Sequence, residues 1–246
     1  MTKSLEGKSA IVTGGGRGIG KAIAVAFAEA GAAVTVLARS GSEVEAVAES
    51  IRAGGGAALA LECDVTDWHT VEGVVGEASS RFGSLDIFVN NAGNSQAREP
   101  VGDDDPQTWA DVLATNLVGA YHGCRAAIPH LKTSGGGAII NLGSGMGHQG
   151  RAGNSSYNCA KAGLWMLTRC LSLELWEAGI AVNEIIPGPV FTEMTAAIFE
   201  PAKPHPQIPS EWVKLPEEVG PLAVYLASQS RHGPTGQSFS LARRPL

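Results

Sequence analysis

Short apolar runs alternate along this chain with longer segments whose apolar residues recur at helical spacing, and that alternation permits few architectures. Ser9 to Val12 precedes a helical segment from Ile19 to Ala30, Ala33 to Leu37 precedes Glu43 to Ala53, and Ala57 to Leu61 precedes Trp68 to Phe82. The pattern continues through Leu85 to Asn90, a long helical stretch ending near Leu131, Ala138 to Leu142, Ser155 to Glu177, Ile180 to Ile186 and Glu217 to Ala227. A run near Gln237 to Leu241 supplies a seventh strand. Repeated strand–helix units with right-handed crossovers build a parallel sheet covered by helices on both faces, so a doubly wound α/β fold is expected. At 246 residues the chain fits one such unit, residues 1–246 forming a single domain. Between Thr192 and Pro216 five prolines (Pro201, Pro204, Pro206, Pro209 and Pro216) rule out a continuous helix. A short helix followed by a semi-rigid loop is expected there, placed to act as a lid.

Composition narrows the function. With 44 % hydrophobic residues there is ample material for a core, and a net charge of −6 without a Lys/Arg block argues against nucleic acid or an anionic membrane surface as partner. The four cysteines, Cys63, Cys124, Cys159 and Cys170, form no C-x-x-C pair and have no histidine at metal-ligand spacing. They read as buried or partly buried free thiols of a reducing compartment, and no metal site is expected. The polar N-terminus has no signal-peptide core and no run of about 18 apolar residues follows, so a cytoplasmic protein is expected.

In doubly wound sheets ligands bind beyond the carboxyl ends of the strands. After the first strand stands Thr13-Gly14-Gly15-Gly16-Arg17-Gly18-Ile19-Gly20, where glycines let backbone approach a pyrophosphate and the next helix offers its N-terminus. The turn fits neither G-x-G-x-x-G nor a P-loop, but it does fit T-G-x-x-x-G-x-G. At the end of the second strand, where an NAD-preferring site places an acid, the chain reads Leu37-Ala38-Arg39-Ser40. The Arg39 guanidinium can grip a ribose 2′-phosphate, with Arg17 assisting, which favours NADP(H) over NAD(H).

Tyr157 and Lys161 lie one turn apart on a helical segment, so an ammonium can sit beside a phenol and pull its pKa toward the working range. Ser144, directly after the fifth strand, can bond the same substrate oxygen, and Asn116 in the preceding helical stretch is a further candidate. Taken with Asp64-Val65, Asn90-Asn91-Ala92-Gly93 and Pro187-Gly188 with Thr192, the series from Thr13 to Thr192 resembles the short-chain dehydrogenase/reductase family. The likeness is to its compact kind, similar to 3-oxoacyl-carrier-protein ketoreductases. The resemblance implies a Rossmann domain in which Tyr157 is the general acid/base, Ser144 orients the substrate oxygen, Lys161 holds the nicotinamide ribose and Asn116 supports a water. It further implies that Asp64 and Val65 flank the adenine and that Asn91, Ala92 and Gly93 line the cofactor cleft with the glycine turn (Gly14, Arg17, Gly18, Ile19, Gly20). Pro187, Gly188, Val190 and Thr192 would meet the nicotinamide.

The expected activity is hydride transfer between NADP(H) and a small ketone or secondary alcohol. The competing readings are an NAD-dependent alcohol dehydrogenase, a non-catalytic NADP sensor, and an epimerase or dehydratase, the last lacking support in the glycine spacing and in any second domain. Asn94, Ser95, Met146, His148, Asn154 and the lid should line the substrate pocket, with no evident basic cluster; His148 reads as a bystander. Many family members end near I-T-G-Q-x-I-x-V-D-G-G, whereas this chain ends Pro234-Thr235-Gly236-Gln237-Ser238-Phe239-Ser240-Leu241 and then Ala242-Arg243-Arg244-Pro245-Leu246. The resemblance implies a homotetramer, with a dimer as the alternative.

Overall fold

The computed structural model describes residues 3–95 and 99–245. Seven strands form one parallel sheet: β1 (Ser9–Thr13), β2 (Ala33–Ala38), β3 (Ala58–Glu62), β4 (Ile87–Asn90), β5 (Gly137–Leu142), β6 (Ile180–Ile186) and, at the far edge, Ser238–Ser240. The sheet order is β3-β2-β1-β4-β5-β6 followed by that last strand. The order reverses between β1 and β4, which pair in the register Ala10↔Ile87, Ile11↔Phe88 and Val12↔Val89. That reversal opens the crevice in which such sheets bind ligands.

Seven helices connect the strands: α1 (Gly18–Glu29), α2 (Gly41–Ala53), α3 (Trp68–Phe82), α4 (Pro106–Leu113), α5 (Gly119–Thr133), α6 (Ser155–Leu175) and α7 (Gly220–Ala227). Alternate strand residues face opposite cores, as the two-residue period of a strand requires. Ala10, Val12, Val34, Val36, Ile87 and Val89 pack with Ile23, Phe27, Val47 and Leu226 from α1, α2 and α7. Ile11, Leu37, Phe88 and Ile139 face the other way, onto Val75, Ala127, Leu131 and Leu171 from α3, α5 and α6. The sequence expectation of a seven-stranded doubly wound sheet is met, with strand ends within about two residues of those expected. Among the described residues no helix is long and apolar enough to cross a membrane.

Two segments differ from expectation. The proline-rich stretch holds no helix: successive turns bonded from Ile198 N and Phe199 N to Thr195 O lead into a two-stranded antiparallel hairpin, β7 (Pro204–His205) and β8 (Ile208–Trp212). Two-residue and five-residue strands tolerate proline because an edge ladder needs few amide donors. The strand Ser238–Ser240, here β9, is followed by a tail that folds back on this hairpin. Glu211, fully buried on β8, accepts from Arg243 N at 3.1 Å and pairs with Arg244 Nε at 3.2 Å. The unusual C-terminus therefore packs against the hairpin. Between α4 and α5 the chain also makes a π turn, Ala114–Val118, in place of continuous α-helix.

Candidate active site

The carboxyl ends of β1, β2, β4, β5 and β6 surround a cleft of ≈ 1190 Å³ that residues of the segment 192–211 and of the tail also line. Every cofactor and catalytic candidate named from the sequence, except Gly20, lines this cleft. Gly20 sits just behind it, where a Cβ would fall 2.2 Å from Gly14 O and 2.4 Å from Asn91 Nδ2. Gly14, at φ +61°, leaves only 2.8 Å between a would-be Cβ and Ala92 Cα. The glycine turn is thus pressed against the end of β4, and Asn91 clamps it: its Nδ2 donates to Thr13 O at 2.9 Å and Gly14 O at 3.0 Å. Such a cradle exposes backbone and the α1 N-terminus to the cleft, so these residues fit a dinucleotide pyrophosphate.

At the adenosine end the strand tip carries no acid, as read from the sequence, and Arg39 is exposed and makes no salt bridge among the described residues. Two carboxylates nonetheless reach the glycine turn. Arg17 Nη1 is 2.7 Å from Glu193 of the lid and 3.4 Å from Glu43 in the first turn of α2. Sequence reasoning missed Glu43 because an acid in a first helical turn reads as a dipole partner, which it also is. Asp64 turns its Oδ1 to Thr66, accepting from N at 2.9 Å and Oγ1 at 2.8 Å.

The end of the cleft that holds the candidate catalytic residues is built by the segment after β5 and by α6. Ser144 is extended at φ −158°, and its Oγ accepts from Met146 N at 3.2 Å, fixing the turn that follows. Burial pushes the Tyr157 phenol above its ordinary pKa, and the Ser144 hydrogen bond pulls it back. Lys161, 5 % exposed, donates from Nζ to Leu142 O at 2.8 Å and lies 5.6 Å from the centre of the Tyr157 ring. Burial lowers the lysine to about 8, with Glu184 acting to raise it. In the protein by itself the phenol is therefore shifted up, not down as the Tyr–Lys spacing predicts, because desolvation outweighs the Ser144 hydrogen bond.

Asn116 occupies the π turn, 1 % exposed. Its Nδ2 donates to Asn94 O at 2.8 Å and Val112 O at 3.0 Å, while Oδ1 is buried without a partner and would be 2.7 Å from a Cβ at Gly93. An acceptor left open beside the cleft is what a bridging water needs. Asn94, Ser95, Met146 and Asn154 line the substrate end as expected, but His148 does not; it turns away and bonds Glu184. Among the described residues, one unpaired guanidinium rather than a basic cluster joins them, since Arg244 is paired with Glu211. Arg151, His205 and Arg244, brought together from three separate segments, line the outer part of the cleft, and both guanidiniums press the His205 pKa down after burial has done so. Arg151 Nη2 donates to Gln207 Oε1 at 3.2 Å and has no carboxylate partner among the described residues.

The model of the short chain dehydrogenase family matches residues 8–203. This chain belongs to that family. It is 38 % identical over 235 residues to a 3-oxoacyl-[acyl-carrier-protein] reductase of Staphylococcus aureus, covering 94 % of this chain and 95 % of that protein. A cis-4-hydroxycyclohexanecarboxylate dehydrogenase of Sinomonas cyclohexanicum is 36 % identical over 234 residues, 94 % of this chain and 93 % of that one. A solved structure from Beutenbergia cavernae that holds NADP at low occupancy superposes with a TM-score of 0.88 at 33 % identity, covering 99 % and 98 % of the two chains. Oxidoreductase chemistry between CH–OH and C=O with a nicotinamide cofactor follows from family membership.

Proposed function

We propose that this protein is an NADP(H)-dependent ketone reductase and secondary-alcohol dehydrogenase in which Tyr157 is the general acid/base. The observation that carries the reading is the convergence of Ser144, Tyr157 and Lys161 at one end of a cleft whose other end is a glycine cradle at the sheet's crossover point. Bound there, the dinucleotide supplies or accepts the hydride at the substrate carbon. Ser144 holds the substrate oxygen against the Tyr157 hydroxyl, which gives up or takes the proton at that oxygen. Lys161 binds the ribose and supplies positive charge, and Asn116 Oδ1 holds a water that links Lys161 to solvent. Gly14, Gly18 and Ile19 would hold the phosphates, Ala92 and Gly93 the floor beneath them, Asp64 and Val65 the adenine, and Pro187, Gly188, Val190 and Thr192 the nicotinamide.

For the 2′-phosphate we assign Arg39, whose guanidinium pairs with no carboxylate among the described residues, with Arg17 joining once it exchanges Glu43 and Glu193 for the phosphate. Glu43 is the observation that favours NAD instead, since an acid beside the ribose can accept from a 2′-hydroxyl. On the substrate side, Arg151 at the mouth supports a substrate carrying a carboxylate away from its carbonyl, a chemistry present in the name of the Sinomonas relative. Exposed apolar side chains gather on α5 and α6, where Tyr121 is 47 %, Met166 48 % and Leu173 77 % exposed. They support a homo-oligomer, tetramer before dimer, which light scattering would measure. The four free thiols support a reducing, cytoplasmic setting.

The decisive experiment follows NADPH and NADH oxidation with 4-oxocyclohexanecarboxylate, a 3-oxoacyl thioester and a neutral cyclic ketone, for the wild type and Tyr157→Phe. Turnover with NADPH that the variant loses, while it still binds NADPH, is the expected result. Near-normal turnover in Tyr157→Phe would remove the assignment.

A further inference from the structure

A carboxylate is buried on the far side of the strand end that carries Ser144. Glu184 lies in the apolar run of β6 and is 0 % exposed. Its Oε2 accepts from His148 Nε2 at 3.1 Å and from Ser238 Oγ at 2.5 Å, while Oε1 is buried without a hydrogen-bond partner. Against an ionised carboxylate, which only accepts, His148 fits this bond in the tautomer with its proton on Nε2. Room for the acid depends on Gly143, because a Cβ there would fall 1.8 Å from Glu184 Oε1. A side chain that demands glycine next to Ser144 is tied to the catalytic segment by sterics alone.

Burying a charge with one oxygen unbonded is costly unless positive charge stands nearby. The titratable groups facing Glu184 are Lys161 from α6 and His148 from the turn after β5, with the Ser238 hydroxyl from β9. Those facing Lys161 are Tyr157 on its own helix and Glu184 from β6. Lys161 anchors its Nζ on Leu142 O, directly before Gly143, so the lysine and the acid approach the same strand end from two elements. His148 is itself held edge-on by Trp165, with ring centres 5.1 Å apart, and Arg169 lies 4.8 Å from the Trp165 ring.

We propose that Glu184, held by His148 and Ser238, is a positioning residue that keeps the buried Lys161 ammonium charged beside Tyr157. Burial by itself lowers the pKa of a lysine; a fixed carboxylate opposes that and widens the pH range over which Lys161 stays charged beside the phenol. The inference rests on the roles given above to Tyr157 and Lys161, and it adds a residue that touches neither substrate nor cofactor.

The test is Glu184→Gln, which keeps shape and can still bond Ser238. Lys161 is titrated in the cofactor-free protein through its side-chain carbon resonance in ¹³C-lysine NMR, assigned by its loss in Lys161→Arg. The midpoint should fall by roughly one pH unit. The alkaline limb of kcat should move the same way, with the KM for cofactor little changed. A lowered melting temperature and kcat with an unmoved Lys161 midpoint would mean a merely structural role and overturn the proposal. If Glu184→Gln does not fold, His148→Leu removes a hydrogen bond that fixes the Glu184 carboxylate and should shift the midpoint in the same direction; no shift there counts equally against it. Should Tyr157→Phe stay active while the Lys161 midpoint still moves, the catalytic reading fails and the electrostatic link stands.

Discussion

Replacing Gly20 by alanine should destabilise the protein although alanine is the better helix former. Gly20 lies in the first turn of α1, with an ordinary helical backbone, so no conformational strain attends the change. Propensity favours alanine by up to about 1 kcal/mol. Against this, the new methyl would sit 2.2 Å from Gly14 O and 2.4 Å from Asn91 Nδ2, and the first of these is backbone that cannot swing aside. Overpacking of this kind costs about 1–3 kcal/mol, and a backbone contact belongs at the upper end. The matched control is Gly73→Ala in α3, an exposed helical glycine with nothing within 4 Å of its would-be Cβ. Gly73→Ala should raise the melting temperature by about 2–4 °C, whereas Gly20→Ala should lower it by a similar or larger amount. Differential scanning calorimetry reads both, and NADPH titration by fluorescence should show weakened binding only in Gly20→Ala, since α1 and the Asn91 clamp must part. A Gly20→Ala melting temperature equal to that of Gly73→Ala would refute the claim that the turn is closed by contact between Gly14, Gly20 and Asn91.

Two further outcomes follow from the charges and thiols. Arg39→Ala should raise the KM for NADPH about 10–100-fold, the worth of charge-assisted bonds to a phosphate, and leave NADH almost untouched; an equal loss with both cofactors would show that Arg39 does not read the 2′-phosphate. Burial lifts Cys63 to about 11 and Cys124 to about 12, so above about pH 9 the unfolded chain loses protons that the folded one keeps, and stability falls as pH rises. Lys161, lowered to about 8, works in the opposite direction between there and its ordinary 10.5. Urea melts between pH 8 and 10.5 should therefore show a shallower alkaline decline in Cys63→Ala/Cys124→Ala than in the wild type, and parallel declines would count against the thiols.

Local pattern revealed what is local. Short apolar runs such as Ser9 to Val12 mark the strands and helical period separates Val71 from Glu72, so the sheet and its helices were legible, and glycine spacing with the Tyr157–Lys161 pair pointed to both ends of the cleft. The misses share a cause, which is partnership across the fold. Glu184 stands in a run that reads as a plain buried strand, and its partners His148 and Ser238 are distant in sequence. Arg151 and the Glu211–Arg244 pair line one cleft only because the hairpin Pro204–Trp212 and the tail meet beside it. The hairpin itself was hidden by its prolines, which mark loops far more often than strands.

The crossover between β1 and β4 also bears on how the protein is made. As the chain leaves the ribosome, β1 finds β2 soon, but its other edge waits until Ile87 to Val89 have emerged. At about 5–20 residues per second that interval lasts several seconds, during which the edge of a wholly apolar-flanked strand stands unpaired. The glycine turn is not finished until Asn91 reaches Thr13 and Gly14. The nascent N-terminal third therefore has a sticky edge and an incomplete nucleotide cradle, and cannot use cofactor to stabilise itself while it waits.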